Sequence, residues 1–585
     1  MGDEFFHSLA TDDGLIVVRN ETGDYCYYTL EGPTQIIAHN KHERSLDEQR
    51  LVEEMGENIR FFDVQTTVMS QKIVAHVEQA IQASQVPNVG KVRVPIIVVE
   101  FADKKVSNPI DAFSNHYNQG ANSARQYFID QSNGKFEPQF DVFGVYELSE
   151  NREAYGGNNL NGSDKGVAKM VAEACDLAKQ NSDINWANYD NNGDGICDVV
   201  MVVFAGVGEA QAAATVPNAI WPCQWTLADA AAMGDGPGMK GYDGITVNKF
   251  AVFNEVQGRF DTNTVLDGIG TFCHEFSHCL GLPDFYMTTY GAEYGMGTWS
   301  LMDYGCYNNN GNTPVGYNAY EKSFFGWIEL VTPQPDTEYR LPVFNGKTIT
   351  SDWAMKVESP LNANEYYVIE NRRRQGWDSY ISDEGVMITH VTYVPARWKE
   401  NSVNNYPVKL MTIMPADDVA SRTTENADLF GKEYHEFTDD TNPAATLNLG
   451  ANIENNPSGN RGFLGKPITD IYLNDDGSAT LRFCDKSGAK LAIDAKKLDF
   501  GNVYYDGEST QTITLKGENI TSATTLSISG DDAHFKLSTN TLSADEVNGG
   551  VSVDVTFSPH QFCDLNAVLT ITNPQRRTVE IPLNG

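Results

Sequence analysis

The chain has 585 residues, too many for a single hydrophobic core, so about three or four domains are expected. Its 41% apolar share, with 26 Tyr and 28 Phe, is that of folded globular units and excludes a disordered chain. Lys and Arg number 42 against 79 Asp and Glu, a formal net charge of −37, which repels phosphate backbones and anionic membrane surfaces and so argues against nucleic-acid or membrane-surface binding.

The chain opens Met1-Gly2-Asp3-Glu4-Phe5-Phe6-His7, with no basic start and no apolar signal core. That fits a cytoplasmic protein or a secreted one written without its leader; the motifs below favour a secreted or cell-surface protein. No apolar run approaches the length of a membrane span. Residues 1–90 mix a strand-like piece, Tyr25–Leu30, with helical stretches at Leu46–Gly56 and Thr67–Ala83. Residues 91–330 open with the apolar, β-branched run Val92–Phe101, read as a buried strand. Helices follow at Ser123–Gln131 and Gly166–Lys179, then a buried strand at Val199–Phe204. In Thr264–Leu280 the spacing of Val265, Ile269, Phe272, Phe276 and Leu280 predicts an amphipathic helix. Residues 331–485 alternate apolar and polar positions between Gly and Asn/Asp turns, the pattern of antiparallel sheet. Residues 486–585 carry six or seven such runs, clearest at Leu498–Gly501, Val551–Phe557 and Val568–Thr572, and read as a β-sandwich of immunoglobulin-like size. The expected class is thus multidomain α+β: an α/β catalytic domain with its active-site helix, an antiparallel β region and a C-terminal β-sandwich. The nine cysteines include no CxxC pair; disulfides among Cys175, Cys197, Cys223 and Cys306 are expected, with connectivity open and at least one thiol left over.

Asp190-Asn191-Asn192-Gly193-Asp194-Gly195-Ile196-Cys197-Asp198 matches the first nine positions of a carboxylate calcium loop. Oxygens of Asp190, Asn192 and Asp194, the Ile196 carbonyl and Asp198 would converge on a structural Ca2+, with Gly195 making the sharp turn. The twelfth position is Met201 rather than Glu, so this is not a full EF-hand. The plain alternative is an Asx- and Gly-rich turn before the strand at Val199.

The segment His274-Glu275-Phe276-Ser277-His278-Cys279-Leu280-Gly281-Leu282-Pro283-Asp284 carries the chemistry. Four residues apart on a helix, His274 and His278 share one face, the spacing at which two imidazoles reach one Zn2+. Glu275 stands where it would take a proton from the attacking water. Gly281 ends the helix, Pro283 blocks its continuation, and Asp284 returns as an oxygen ligand, leaving the fourth position for water. A bare HExxH also occurs on solvated helix faces, but here the glycine and third ligand fall at the spacing of the extended zincin signature. Trp299-Ser300-Leu301-Met302-Asp303-Tyr304-Gly305 downstream reads as a methionine turn, with Met302 as a floor under the metal and Tyr304 beside the oxyanion by analogy with metzincins. Glu293 or Asp303 could replace Asp284 as third ligand. His390 reads as a hydrogen-bonded core histidine. Arg372, Arg373 and Arg374, the one basic cluster of note, read as solvated or as a site for a substrate carboxylate.

Together these residues make the chain resemble the immune-inhibitor-A-like metallopeptidases, secreted bacterial enzymes. Gly2–His7 with Thr11-Asp12-Asp13-Gly14, Val98–Asp103, Ser123–Phe136, the calcium-like loop running into Val199–Gly206, Glu365–Asp378 and Gly385–Val391 carry the likeness over about the first 480 residues. Ser277, where relatives usually have glycine, and Cys279 depart from the pattern while leaving the ligands intact. The resemblance implies a zinc endopeptidase acting on protein or peptide substrates, and an N-terminal pro-segment over residues 1–90. Cys26, Asp24 or His7 could each reach a zinc in a latent form. A monomer is expected. The rivals are a catalytically silent peptidase scaffold used for adhesion, against which the intact Glu275 argues, and a zinc hydrolase acting on other bonds.

Overall fold

The computed structural model describes residues 86–157, 159, 164–288, 294–345, 353–360, 362–405, 408–448, 462–484, 489–495 and 497–585, together with 9–10, 15–19, 25–29, 32–39, 43–45, 48–49 and 52. The chain is a mixed α/β protein with many strands and few helices. Tyr25–Thr29 is a strand of a small antiparallel sheet that ends at Gly32–Ile37. The expected helices Leu46–Gly56 and Thr67–Ala83 lie mostly or wholly outside the described residues, as do His7, Asp24 and Glu293.

The central sheet comprises β1 (Gly90–Glu100), β2 (Phe136–Glu147), β3 (Val200–Phe204), β4 (Cys223–Thr226) and β5 (Lys249–Asn254), in the order β2-β1-β3-β5-β4. All pairs are parallel except β5 with β4, so the sheet has one antiparallel edge. A parallel strand covered on both faces must be apolar on both. Accordingly Val92, Val94, Ile96 and Val98 of β1 enter one core, and Ile97, Val99 and Phe101 enter another. Helix Val167–Asn181 fills the second core with Val167, Val171, Ala174, Cys175 and Ala178.

The first core receives the helix Ile269–Cys279, whose Ile269, Phe272, Cys273 and Phe276 follow the i, i+3, i+4, i+7 pattern of a one-sided helix. Phe272 stacks on Tyr117 at 4.5 Å, and Phe276 meets Phe128 edge-on at 5.2 Å. Burying a phenylalanine stabilises by about 1.5–3 kcal/mol, which anchors the helix firmly. It starts five residues later than its apolar rhythm suggests. Asp267 N–H donates to the Glu255 carbonyl at 2.9 Å and Leu266 bridges to Val256, so this stretch is extended, while Val265 is 61% exposed.

Beyond residue 330 the chain is β-rich. Glu365–Arg372, Gly385–Thr392 and Met411–Ile413 pair antiparallel, with a short parallel edge at Val343–Phe344, and Thr337–Leu341, Ala479–Phe483 and Ile468–Leu473 form another antiparallel sheet. The last hundred residues form a sheet of four strands and one of five enclosing a single apolar cluster. Among the described residues no helix is long and apolar enough to cross a membrane. Cys175, Cys197 and Cys306 carry free thiols, so the disulfides expected at these positions are not formed.

Candidate metal centre

His274 and His278 project from one face of the site helix, one turn apart, with their Nε2 atoms 3.2 Å apart. A Schellman motif closes the helix: Leu282 N–H donates to Ser277 at 3.1 Å and Gly281 N–H to His278 at 2.9 Å. Gly281 takes φ +108°, a conformation glycine reaches without steric cost. The chain thereby reverses and brings the buried Asp284 back to the imidazoles, its Oδ1 3.1 Å from His274 Nε2 and 3.3 Å from His278 Nε2.

Both imidazoles are oriented by backbone carbonyls. His274 Nδ1 lies 2.8 Å from the Leu301 oxygen and His278 Nδ1 2.7 Å from the Leu282 oxygen. Since a carbonyl only accepts, each Nδ1 carries a proton, which in the neutral imidazole leaves the Nε2 lone pair turned inward. Asp284 Oδ1 consequently receives no hydrogen bond although fully buried. Three convergent acceptors repel one another unless a cation sits between them. Their spacing matches the edges, about 3.3 Å, of a tetrahedron whose centre lies 2.0–2.1 Å from each atom. The donor set therefore fits a small divalent metal. Among the described residues, it is the one group of three or more His, Cys, Asp or Glu side chains whose ligand atoms lie within 4.8 Å of one another.

Glu275, next to His274 on the helix, is also buried, and one oxygen, Oε2, has no hydrogen-bond partner. Burial pushes its carboxyl above the usual value, and the neighbouring imidazoles only partly oppose this.

The turn at 299–305 braces the site. Leu301 provides the His274 acceptor, and the Met302 carbonyl accepts from Phe285 N–H at 2.8 Å, next to the Asp284 carboxylate. Met302 is fully buried in the same core as the site helix. Close approach of this segment requires Gly270, where a Cβ would lie 1.8 Å from the Cys306 carbonyl oxygen. Asp303 is committed elsewhere: its carboxylate accepts from Met296, Gly297 and Tyr304 N–H, each at 2.8 Å. Burial raises its carboxyl to about 7 against those bonds. Tyr304 is 41% exposed, its ring covered by the Arg422 guanidinium at 3.9 Å.

The other singled-out residues settle into structural roles. Arg372 is fully buried, bonded to Glu370 at 2.9 Å and to Asp378 at 2.7 and 2.8 Å, while Arg373 and Arg374 donate to backbone carbonyls of Gly477 and Ile381. Arg372 is thus closed to solvent and to a substrate carboxylate, whereas Arg373 is half-buried and Arg374 exposed. His390 donates to or accepts from Glu365 at 2.9 Å and stacks on Tyr367 at 4.4 Å, inside the β-rich core. In the loop at 190–198, Asp190 accepts from Gly193, Asp194 and Gly195 N–H at 2.8–3.0 Å, and Asn191 is exchanged with the Arg93 backbone. The carboxylates of Asp190, Asp194 and Asp198 do not gather within 4.8 Å of one another as the His274, His278 and Asp284 ligand atoms do. Sequence reasoning missed Asn401, whose amide grips Asp284 from 117 residues away; no local pattern marks it.

Two inward imidazoles on one helix, a buried carboxylate beside them and a returning aspartate form a candidate centre for a small divalent metal. Residues 101–328 match the catalytic domain of the immune inhibitor A peptidase M6 family, and the chain carries a domain of that family. Pre-pro-metalloprotease PrtV of Vibrio cholerae serotype O1 (strain M66-2) is 30% identical over 222 residues, covering 34% of this chain and 23% of that protein. Immune inhibitor A of Bacillus thuringiensis subsp. alesti is 28% identical over 295 residues, 42% of each chain. A putative secreted metallopeptidase of Arthroderma benhamiae is 24% identical over 246 residues, 38% of this chain and 33% of that protein. The chain thus matches less than half the length of each of these relatives.

Proposed function

We propose that the protein is a secreted zinc endopeptidase that hydrolyses peptide bonds of extracellular proteins, with Zn2+ held by His274, His278 and Asp284. The observation that carries this reading is the inward turn of two Nε2 lone pairs and one unbonded carboxylate oxygen at tetrahedral spacing. Zinc in that position supplies a Lewis acid that polarises the scissile carbonyl and lowers the pKa of water. Glu275 holds the proton taken from the attacking water at its carboxylate and returns it to the leaving amine. The apolar packing of Phe272, Phe276 and Met302 behind the site keeps the imidazoles rigid. Tyr304 donates its hydroxyl to the developing oxyanion, and Tyr304→Phe is expected to lower kcat about 100-fold with KM little changed. An unchanged kcat removes Tyr304 from the mechanism.

The same reading gives the matched domain a zincin-type layout within residues 91–330, a β-rich domain at 331–485, an immunoglobulin-like β-sandwich at 486–585 and a removable pro-segment at 1–90. It has the protein made as a zymogen, monomeric, and bearing a structural Ca2+ at Asp190, Asn192, Asp194, the Ile196 carbonyl and Asp198. Secretion is supported by the name of the fungal relative and zymogen synthesis by that of the Vibrio one.

The deciding variant is Glu275→Ala. It is expected to lose hydrolysis of an unfolded protein by about 100-fold or more while keeping one zinc per chain. Near-normal turnover by this variant would sink the assignment of the base.

A further inference from the structure

Asp284 belongs to neither helix nor strand, yet it is 1% exposed and its carboxylate is aimed. The cause lies in the β-rich region, outside the matched residues 101–328. After the short helix Pro395–Lys399 the chain runs Asn401-Ser402-Val403-Asn404-Asn405 alongside the loop that bears Asp284. Asn401 Oδ1 accepts from Asp284 N–H at 2.6 Å, and its Nδ2 donates to Asp284 Oδ2 at 2.7 Å. Asn404 donates to the Phe285 carbonyl at 2.7 Å while accepting from Leu410 and Met411 N–H at 3.0 Å. Asn405 accepts from Thr288 N–H and donates to its hydroxyl, both at 2.8 Å. Three amides thus hold the ligand loop at Asp284, Phe285 and Thr288 in chain order.

The Asn401 contact selects between the two carboxylate oxygens. With Oδ2 held by the amide, Oδ1 alone faces the imidazoles. A hydrogen bond to a carboxylate is charge-assisted and about twice as strong as a neutral one. Asn401 is buried and holds φ +51°, a left-handed conformation that asparagine tolerates better than most residues.

We propose that Asn401 is the positioning residue for the third metal ligand, fixing Asp284 as a one-oxygen donor, so that the β-rich region completes the metal centre. This rests on the zinc reading of the site. The test compares the full-length wild type with Asn401→Asp and Asn401→Gly, measuring the zinc Kd by competition with a chromogenic chelator and the fold by circular dichroism. Asp removes the donor and sets a like charge against Asp284; Gly keeps the left-handed backbone and removes only the amide. Zinc affinity is expected to fall about 10–100-fold in Asn401→Gly and further in Asn401→Asp. A purely structural residue would lower thermal stability without moving the zinc Kd of the folded protein. Zinc bound equally tightly by the wild type and by Asn401→Gly overturns the proposal alone, whether or not Asn401→Asp folds. A wild type that binds no zinc overturns the parent reading and this one with it.

Discussion

Residues 331–484 and 489–585 are both built of short, mostly antiparallel strands, and they stand in different relations to the metal centre. The first shares its core with the site helix: Phe344, Val368, Met387, Val391 and Met411 belong to the same apolar cluster as Phe272 and Phe276. It also reaches the site with polar groups. Asn401 holds Asp284, Asp428 accepts from Trp299 Nε1 at 2.7 Å in the methionine turn, and Glu370 accepts from Ala319 N–H at 2.6 Å. The second packs Ile513, Val553, Leu569, Ile571 and Ile581 among themselves in a cluster confined to residues 489–583. Apolar side chains that interlock across residue 328 couple the stability of both sides, whereas a cluster confined to the last hundred residues does not involve the site helix. The apolar cluster around the site helix therefore extends past residue 328 and, among the described residues, includes none of the last hundred.

The strongest way to break this comparison is Arg372→Ala. Arg372 bridges Glu370 and Asp378, and Asp378 in turn accepts from Gly316 N–H at 2.9 Å in the catalytic domain. Removing the cation strands two buried carboxylates and is expected to cost about 3–5 kcal/mol. Thermal unfolding should show it in the transition that also abolishes zinc binding. A loss confined to some other transition would separate the β-rich region from the catalytic unit.

Leu569→Ala is the complementary change. Leu569 is fully buried in the C-terminal cluster, so its truncation should cost that unit about 2–5 kcal/mol. Two thermal transitions are expected, with only the C-terminal one lowered and the hydrolysis rate at 25 °C unmoved. A parallel fall in hydrolysis would join the two bodies. The smallest effect is that of calcium. At a hundredfold excess over its Kd, Ca2+ should stabilise the catalytic transition by about 2.7 kcal/mol and leave the C-terminal one where it is. Asp190→Ala should abolish that shift; a calcium response that survives it would place the ion elsewhere.

What the sequence made legible follows from range. The His274, His278 and Gly281 pattern is local, fixed by helix geometry over one or two turns, and the structure places Asp284 against both imidazoles as the spacing implies. The buried strand β1 was readable from its unbroken apolar run. The helix start was misplaced because Val265 fits the apolar rhythm while pointing into solvent. The fate of Arg372 and the clamp by Asn401 depend on contacts brought together from distant parts of the chain, and nothing local distinguishes a buried arginine from a solvated one. The nine described strands of the C-terminal sheets exceed the six or seven runs visible in the sequence, because a two-residue strand such as Thr541–Leu542 carries no alternation to read.

The most direct test is hydrolysis of unfolded casein by the trace-trypsin-treated protein before chelation, after chelation and after zinc is restored. The account predicts cleavage that disappears with the metal, returns on adding one equivalent of zinc, and never appears in Glu275→Ala. Cleavage that persists without metal or without Glu275, or zinc-loaded protein that leaves casein intact, would contradict it.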